Sequence, residues 1–186
     1  MKKNICQIRV FIYFGRIEKY EEIADRMDEE IVTFLTQIIR SDVSKSTTER
    51  GSAMIKLVNR IESISDSCYL MAQFIKQASN NKIAFDDEMV DIMKQIFLSV
   101  EQLMDELQSA LEEKDSPIDL EAARAARDNI KESIETLNVE NLKAIKKGNY
   151  KYKIGIIYTD VYTEQGVLAD HCYHGLKYVD EMQRAR

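Results

Sequence analysis

Carboxylates four residues apart occur as pairs on two neighbouring helical segments. Glu62 and Asp66 form one pair, and Glu21 and Asp25 form the other. Residues four apart share one face of a helix, and no lysine or arginine shares the face of either pair. If the two helices pack antiparallel, the pairs oppose each other and offer oxygen ligands to a hard divalent cation or an iron-type ion. The alternative is a solvated acidic surface without metal.

The pattern Asp-x-Cys-Tyr occurs twice, at 66–69 and at 170–173. Each copy has an apolar residue two positions before its aspartate, and each lies within a long helical pattern. The repeat indicates a duplicated helical unit with an aspartate at a matching place in each half. We expect Cys68 and Cys172 to face the core beside these aspartates and to have no redox role.

The second copy predicts a weaker second metal site. Gly166 stands where an acidic residue would precede Asp170 by four, while both histidines of the chain lie nearby on the same segment. Exposed or helix-capping histidines are the alternative. The candidate ligands of this second set are Asp128, Glu132, Glu164, Asp170, His171 and His174.

Composition narrows the class of protein. The 186 residues include one proline and six glycines, so long uninterrupted helices are expected. A net charge of −6 with no basic face argues against nucleic-acid binding. Three cysteines far apart in sequence are typical of a reduced, cytoplasmic protein. No apolar run approaches the ~20 residues of a membrane span.

Apolar periodicity predicts five helices. We expect a capping box from Ser46 to Glu49, a cap at Asp86 with a hydrophobic staple, and a glycine stop at Gly148. We attribute the glycines inside the last helix to close helix packing. The segment 1–16 is expected to be a peripheral strand, a short helix or the edge of something removed. The predicted helices span 17–40, 46–79, 86–114, 117–147 and 150–183.

These helices predict an all-α fold, an antiparallel helical bundle with two three-helix-type halves. The helical domain covers 17–186, with a first half at 17–80 that lacks its opening helix and a second half at 84–186. No nucleophile–histidine arrangement, phosphate loop or HExxH motif is present. A di-metal carboxylate enzyme needs Glu-x-x-His on two helices, and that pair is absent too. No catalytic or cofactor-binding residue is predicted, so we expect a protein that is not an enzyme.

Two stretches of the first half, KYEEIADRMDEEI and AMIKLVNRIESISDSCYLMAQFI, resemble the PhoU-like domain. They are most similar to the form attached behind the membrane part of bacterial sodium/phosphate cotransporters. The stretch KAIKKGNYKYKIGIIYTDVYTEQGVLADHCYHGL is similar to the last two helices of that domain. The resemblance runs from about residue 17 to the C-terminus.

The resemblance implies six helices in two three-helix bundles, each with a Glu/Asp-x-x-x-Asp motif associated with metal clusters. Glu62 and Asp66 match the motif of the first half, and Glu21 and Asp25 look like its partner on the preceding helix. Asp170 matches the final aspartate of the second half, where Gly166 departs from the pattern.

The resemblance also implies a regulatory or accessory role in phosphate transport. We expect a cytoplasmic protein at the inner face of the cell membrane, docked to a membrane phosphate transporter or its signalling partner. It would form no contact with nucleic acid and insert nothing into the membrane. The alternative function is a metal-free helical scaffold, in which formation of a homodimer covers the face left by the absent opening helix.

Overall fold

The computed structural model describes residues 2–113 and 117–185, with side chains from Tyr13 onward. It contains five helices, and the described residues include no strand, which confirms the all-α prediction. None of these described helices combines the length and the apolar character that crossing a bilayer takes. The helices are α1 (Lys2–Arg40), α2 (Lys45–Asn80), α3 (Asp87–Glu112), α4 (Leu120–Lys147) and α5 (Tyr152–Arg184).

Helix α1 is longer than predicted. The separate strand or short helix expected at 1–16 is wrong, because residues from Lys2 onward continue directly into the predicted helix. This stretch has no proline, and its single glycine, Gly15, costs a helix only about 1 kcal/mol relative to alanine. The charge of Arg9 that interrupts its apolar run is no obstacle to helix formation.

The start of α2 also differs from the prediction. Ser44, not Ser46, is the N-cap, and its side chain accepts a hydrogen bond from the Thr47 amide at 3.1 Å. Ser46 lies inside the first turn, and its hydroxyl donates to the carbonyl oxygen of Ala185 at the end of α5. Two serines at this helix start are both suitable caps, and the local backbone selects the first.

The other predicted helix ends agree more closely. Asp86 caps α3 by accepting from the Met89 amide at 2.8 Å, and Gly148 ends α4 with a left-handed φ of 74°. Helix α4 begins after a cap at Asp119, so Pro117 lies before the helix and its predicted start is wrong by three residues. The predicted end of α3 at residue 114 lies outside the described residues.

Helix α5 is the centre of the molecule. It packs against α2, α3 and α4, and Leu168, Cys172 and Val179 on it are fully buried. Cys68 of α2 is half-buried against the same core, so both repeated cysteines face inward as predicted, and both are free thiols. Among the described residues, α1 packs against α2 and against no other helix.

Close approach explains the glycines of α5. A Cβ on Gly155 would lie 2.5 Å from Ile145 Cδ1, and a Cβ on Gly166 would lie 2.7 Å from Ile134 Cδ1. Both isoleucines belong to α4. The prediction that these glycines permit close helix packing is confirmed, and a side chain at Gly166 would displace Ile134 on α4.

Candidate metal centre

Helices α1 and α2 form an antiparallel hairpin with a defined register. The Tyr69 hydroxyl donates to Glu18 Oε1 at 3.1 Å near one end. In the middle, the side-chain amide of Asn59 meets Asp28 Oδ1 at 2.8 Å, where a hydrogen bond requires the amide orientation with nitrogen toward α1. Near the other end, the side chain of Ile39 approaches the backbone of Gly51. Each step forward along α1 therefore matches a step back along α2.

This register brings acidic residues of both helices together. Glu21 and Asp25 of α1 and Asp66 of α2 each offer a carboxylate oxygen, and these three atoms lie within 4.8 Å of one another. Glu21 is partly buried, while Asp25 and Asp66 are exposed. We call these three residues the acidic cluster. Glu62, the fourth predicted ligand, lies one turn away on α2 beside Asp66 and outside the cluster.

The electrostatics of these carboxylates are unfavourable for full ionisation. Burial, followed by the charges of Asp25 and Asp66, raises the pKa of Glu21. Burial also raises the pKa of Glu62, with further increases from the charge of Asp66 and a hydrogen bond shared with it. The Ser63 hydroxyl donates to Glu62 Oε2 at 3.3 Å and opposes this shift.

Within the described part of the chain, no cationic side chain neutralises this charge. Among the described residues, no lysine, arginine or histidine forms an ion pair with any of these four carboxylates. Protonation or a bound cation would relieve the repulsion. Carboxylate oxygens from two helices, open to water, suit hard cations that complete their coordination with water molecules.

The corresponding aspartate of the second half has a different environment. Asp170 Oδ2 accepts a hydrogen bond from Lys131 Nζ at 2.8 Å, and Asp170 Oδ1 lies 3.5 Å from Arg127 Nη1. Arg127 also forms an ion pair with Asp128. Two cations of α4 therefore neutralise the carboxylate that the sequence offered as a ligand.

The two histidines have protein partners as well. His171 Nδ1 lies 3.1 Å from Arg60 Nη1, and burial, assisted by the Arg60 charge, lowers the pKa of His171. The His174 ring packs between Tyr173 and Tyr178, and burial lowers the pKa of His174. These histidines favour the neutral form.

The structure does not gather the second predicted ligand set. Glu132 lines a cleft between α3 and α4, whereas Glu164 lies on α5 near Cys68. In the described part of the chain, the acidic cluster is the one group of three or more candidate ligands with metal-site spacing.

Sequence reasoning missed the cations around Asp170. It selected Asp128 and Glu132 on α4, yet the residues one position earlier, Arg127 and Lys131, contact this aspartate. A step of one residue turns the side chain by about 100° around a helix. Arg127 and Lys131 are themselves four apart, and that spacing was the available signal.

Comparison of the chain with protein-family models, with curated proteins and with solved structures finds no match in any of the three. The resemblance to the PhoU-like domain therefore depends on the sequence stretches given above.

Proposed function

We propose that the chain is a PhoU-like regulatory or accessory domain of phosphate transport that binds a divalent or iron-type metal ion and catalyses no reaction. The observation that carries the metal proposal is the acidic cluster of Glu21, Asp25 and Asp66, with carboxylate oxygens within 4.8 Å of one another. The transport role depends on the sequence resemblance. The proposed partner is a membrane phosphate transporter, or its signalling partner, at the inner face of the cell membrane.

The position of the cluster suggests how a metal would act. Its ligands come from α1 and α2, and α1 has no other helix to pack against among the described residues. A bound ion would supply positive charge between the two helices and fix α1 on α2. Glu62 lies one turn from Asp66 on α2, so its charge adds to the negative potential at the cluster. Metal occupancy would thereby control how firmly α1 is held for a partner.

Metal content tests the site directly. Protein purified without chelator should contain metal, measured by inductively coupled plasma mass spectrometry, and Glu21→Gln/Asp66→Asn should lose it. Glu101→Gln/Asp105→Asn is the matched control, since these α3 residues are exposed, four apart and remote from the cluster. Equal metal content in the wild type and the cluster variant, or none in either after addition of Mn²⁺, Fe²⁺ or Zn²⁺, would reject the site.

The transport role requires a separate experiment. In cells that lack the gene, uptake of radiolabelled phosphate should lose its normal response to external phosphate. The wild-type gene and the Glu101→Gln/Asp105→Asn control should restore that response, whereas Glu21→Gln/Asp66→Asn should not. Unchanged uptake in the deletion strain would reject the transport role and leave the metal result intact.

One observation favours the second candidate function, a metal-free helical scaffold or dimerisation module. Large apolar side chains of α1, including Tyr13 and Phe34, are exposed on the single chain. Metal analysis separates the candidates, because a scaffold of this kind would contain no metal with or without the cluster substitutions.

A further inference from the structure

Four large apolar side chains form an exposed row along α1. The exposed fractions are 59% for Tyr13, 58% for Tyr20, 54% for Met27 and 62% for Phe34. They recur every seven residues, the repeat by which helices supercoil around one another. Each stands one position before a residue that faces α2, such as Phe14, whose ring lies 5.5 Å from that of Tyr69.

Helix α2 carries a matching row with the same repeat. Met54, Ile61, Cys68 and Ile75 also recur every seven residues. Ile61 is 41% exposed and Ile75 is 44% exposed, Met54 is half-buried, and Cys68 turns from this row into the core. The hairpin register places the two rows level, with Tyr13 beside Ile75, Met27 beside Ile61 and Phe34 beside Met54. Tyr20 lies level with Cys68, which faces the core.

Both rows lie on the same side of the hairpin. An antiparallel helix pair has an approximate two-fold axis that passes between the helices, perpendicular to their common plane. Each row stands one residue before the positions at which its helix contacts the other helix. Rotation about this axis therefore exchanges the two rows and leaves both on the same side of the hairpin. Asp25 and Asp66 stand two residues before Met27 and Cys68, a rotation of about 200°. Asp25 and Asp66 therefore lie on the opposite side, and Glu21, which follows Tyr20, lies at the contact between the two helices.

We propose that this apolar face binds the same face of a second copy, so that two hairpins form a four-helix bundle. An aromatic or large aliphatic side chain contributes about 150–250 Å² when fully buried. With the exposures given above, the six exposed residues present roughly 600 Å² per copy. Two copies then bury about 1,200 Å², which reaches the range of stable protein interfaces.

The shape and charge of the face favour a second copy as its partner. The face has matched rows on two antiparallel helices, so it is complementary to itself in the two-fold arrangement that most homodimers adopt. Side chains in a heptad repeat also fit between those of another helix pair. An anionic membrane surface is the weaker partner, because it attracts basic segments and this chain has a net charge of −6.

Oligomeric state is the test. Sedimentation velocity should show a wild-type dimer at micromolar concentration, and Met27→Glu/Phe34→Glu should weaken dimerisation by at least about 100-fold, since each change occurs twice in the dimer. Val139→Glu/Leu142→Glu, on the exposed face of α4, is the matched control and should leave the dimer unchanged. A monomeric wild type at about 100 μM, far above the Kd of a specific interface, overturns the proposal. A dimer unaffected by the α1 variant does so too.

A charge-pairing experiment separates loss of the interface from loss of folding. Met27→Glu/Phe34→Glu and Met27→Lys/Phe34→Lys should each be monomeric alone and form a heterodimer when mixed. If neither variant alone nor the mixture of the two differs from the wild type in oligomeric state, the apolar face is not the dimer interface. Because Asp25 and Asp66 lie on the other side of the hairpin, dimerisation should persist in EDTA, so failure of the proposed metal function leaves this result unaffected.

Discussion

Gly166→Ala offers a sharp test of the packing around the second aspartate. A Cβ at this position would lie 2.7 Å from Ile134 Cδ1, closer than carbon atoms in contact normally approach. Overpacking of this kind costs about 1–3 kcal/mol, against a gain of about 1 kcal/mol in helix propensity. We expect a net decrease of about 0–2 kcal/mol in the free energy of unfolding, measured by urea denaturation followed by circular dichroism.

Ile134→Val identifies the cause, because it removes the Cδ1 atom that the new Cβ would meet. Alone it should cost about 0.5–1.5 kcal/mol, and in the double variant the cost of Gly166→Ala should largely disappear. Gly15→Ala is the matched control. Among the side chains that the structure describes, none lies within 4 Å of its Cβ position, so this change should stabilise the protein by about 0.5–1 kcal/mol. Stabilisation by Gly166→Ala to the same extent would refute the reasoning.

Three further predictions concern the charged residues. Saturation with Mn²⁺ at 100 times its Kd should raise the free energy of unfolding by about 2.7 kcal/mol and the melting temperature by about 5–10 °C. EDTA or Glu21→Gln should abolish this shift. An equal shift in Glu21→Gln would contradict the prediction. The raised pKa of Glu62 means that the folded state binds more protons, so metal-free protein should lose stability as pH rises from 4.5 through that pKa. Glu62→Gln should then be more stable than the wild type near pH 7 but not below pH 4.5 in urea titrations, and a constant difference would refute the assignment. Lys131→Ala should lower the free energy of unfolding by about 0.5–1 kcal/mol, and a double-mutant cycle with Asp170→Asn should recover this as coupling.

Much of the fold follows from local sequence. The predicted ends of α2 agree within one residue, because apolar periodicity continues to its limits. Asp86 begins α3 and Gly148 ends α4 as predicted, since capping is a property of a few adjacent residues. The structure of residues 2–16 was harder to predict. The stretch mixes apolar and charged residues and has no proline, so its sequence alone does not show which side of a helix would be buried.

The candidate site depends more on contacts between helices. The pairing of Glu21 with Asp25 was visible in sequence, because residues four apart on one helix must be neighbours. Which carboxylates meet across the hairpin depends on the register of α1 against α2. In the observed register Glu62 lies one turn beside the acidic cluster instead of inside it. Around Asp170, adjacent residues of α4 point about 100° apart, and this difference places the cation Arg127, and not Asp128, against the Asp170 carboxylate.

Among the described residues, α1 is attached through α2 alone, and this has a consequence for local stability. The other four helices share one core around α5, so α1 can separate by breaking a single helix–helix contact surface. Its amides should therefore exchange with solvent deuterium before those of α5, as a separate unit of local unfolding. A signal that strengthens or weakens this one contact surface would change what the protein presents to a partner while its core stays folded.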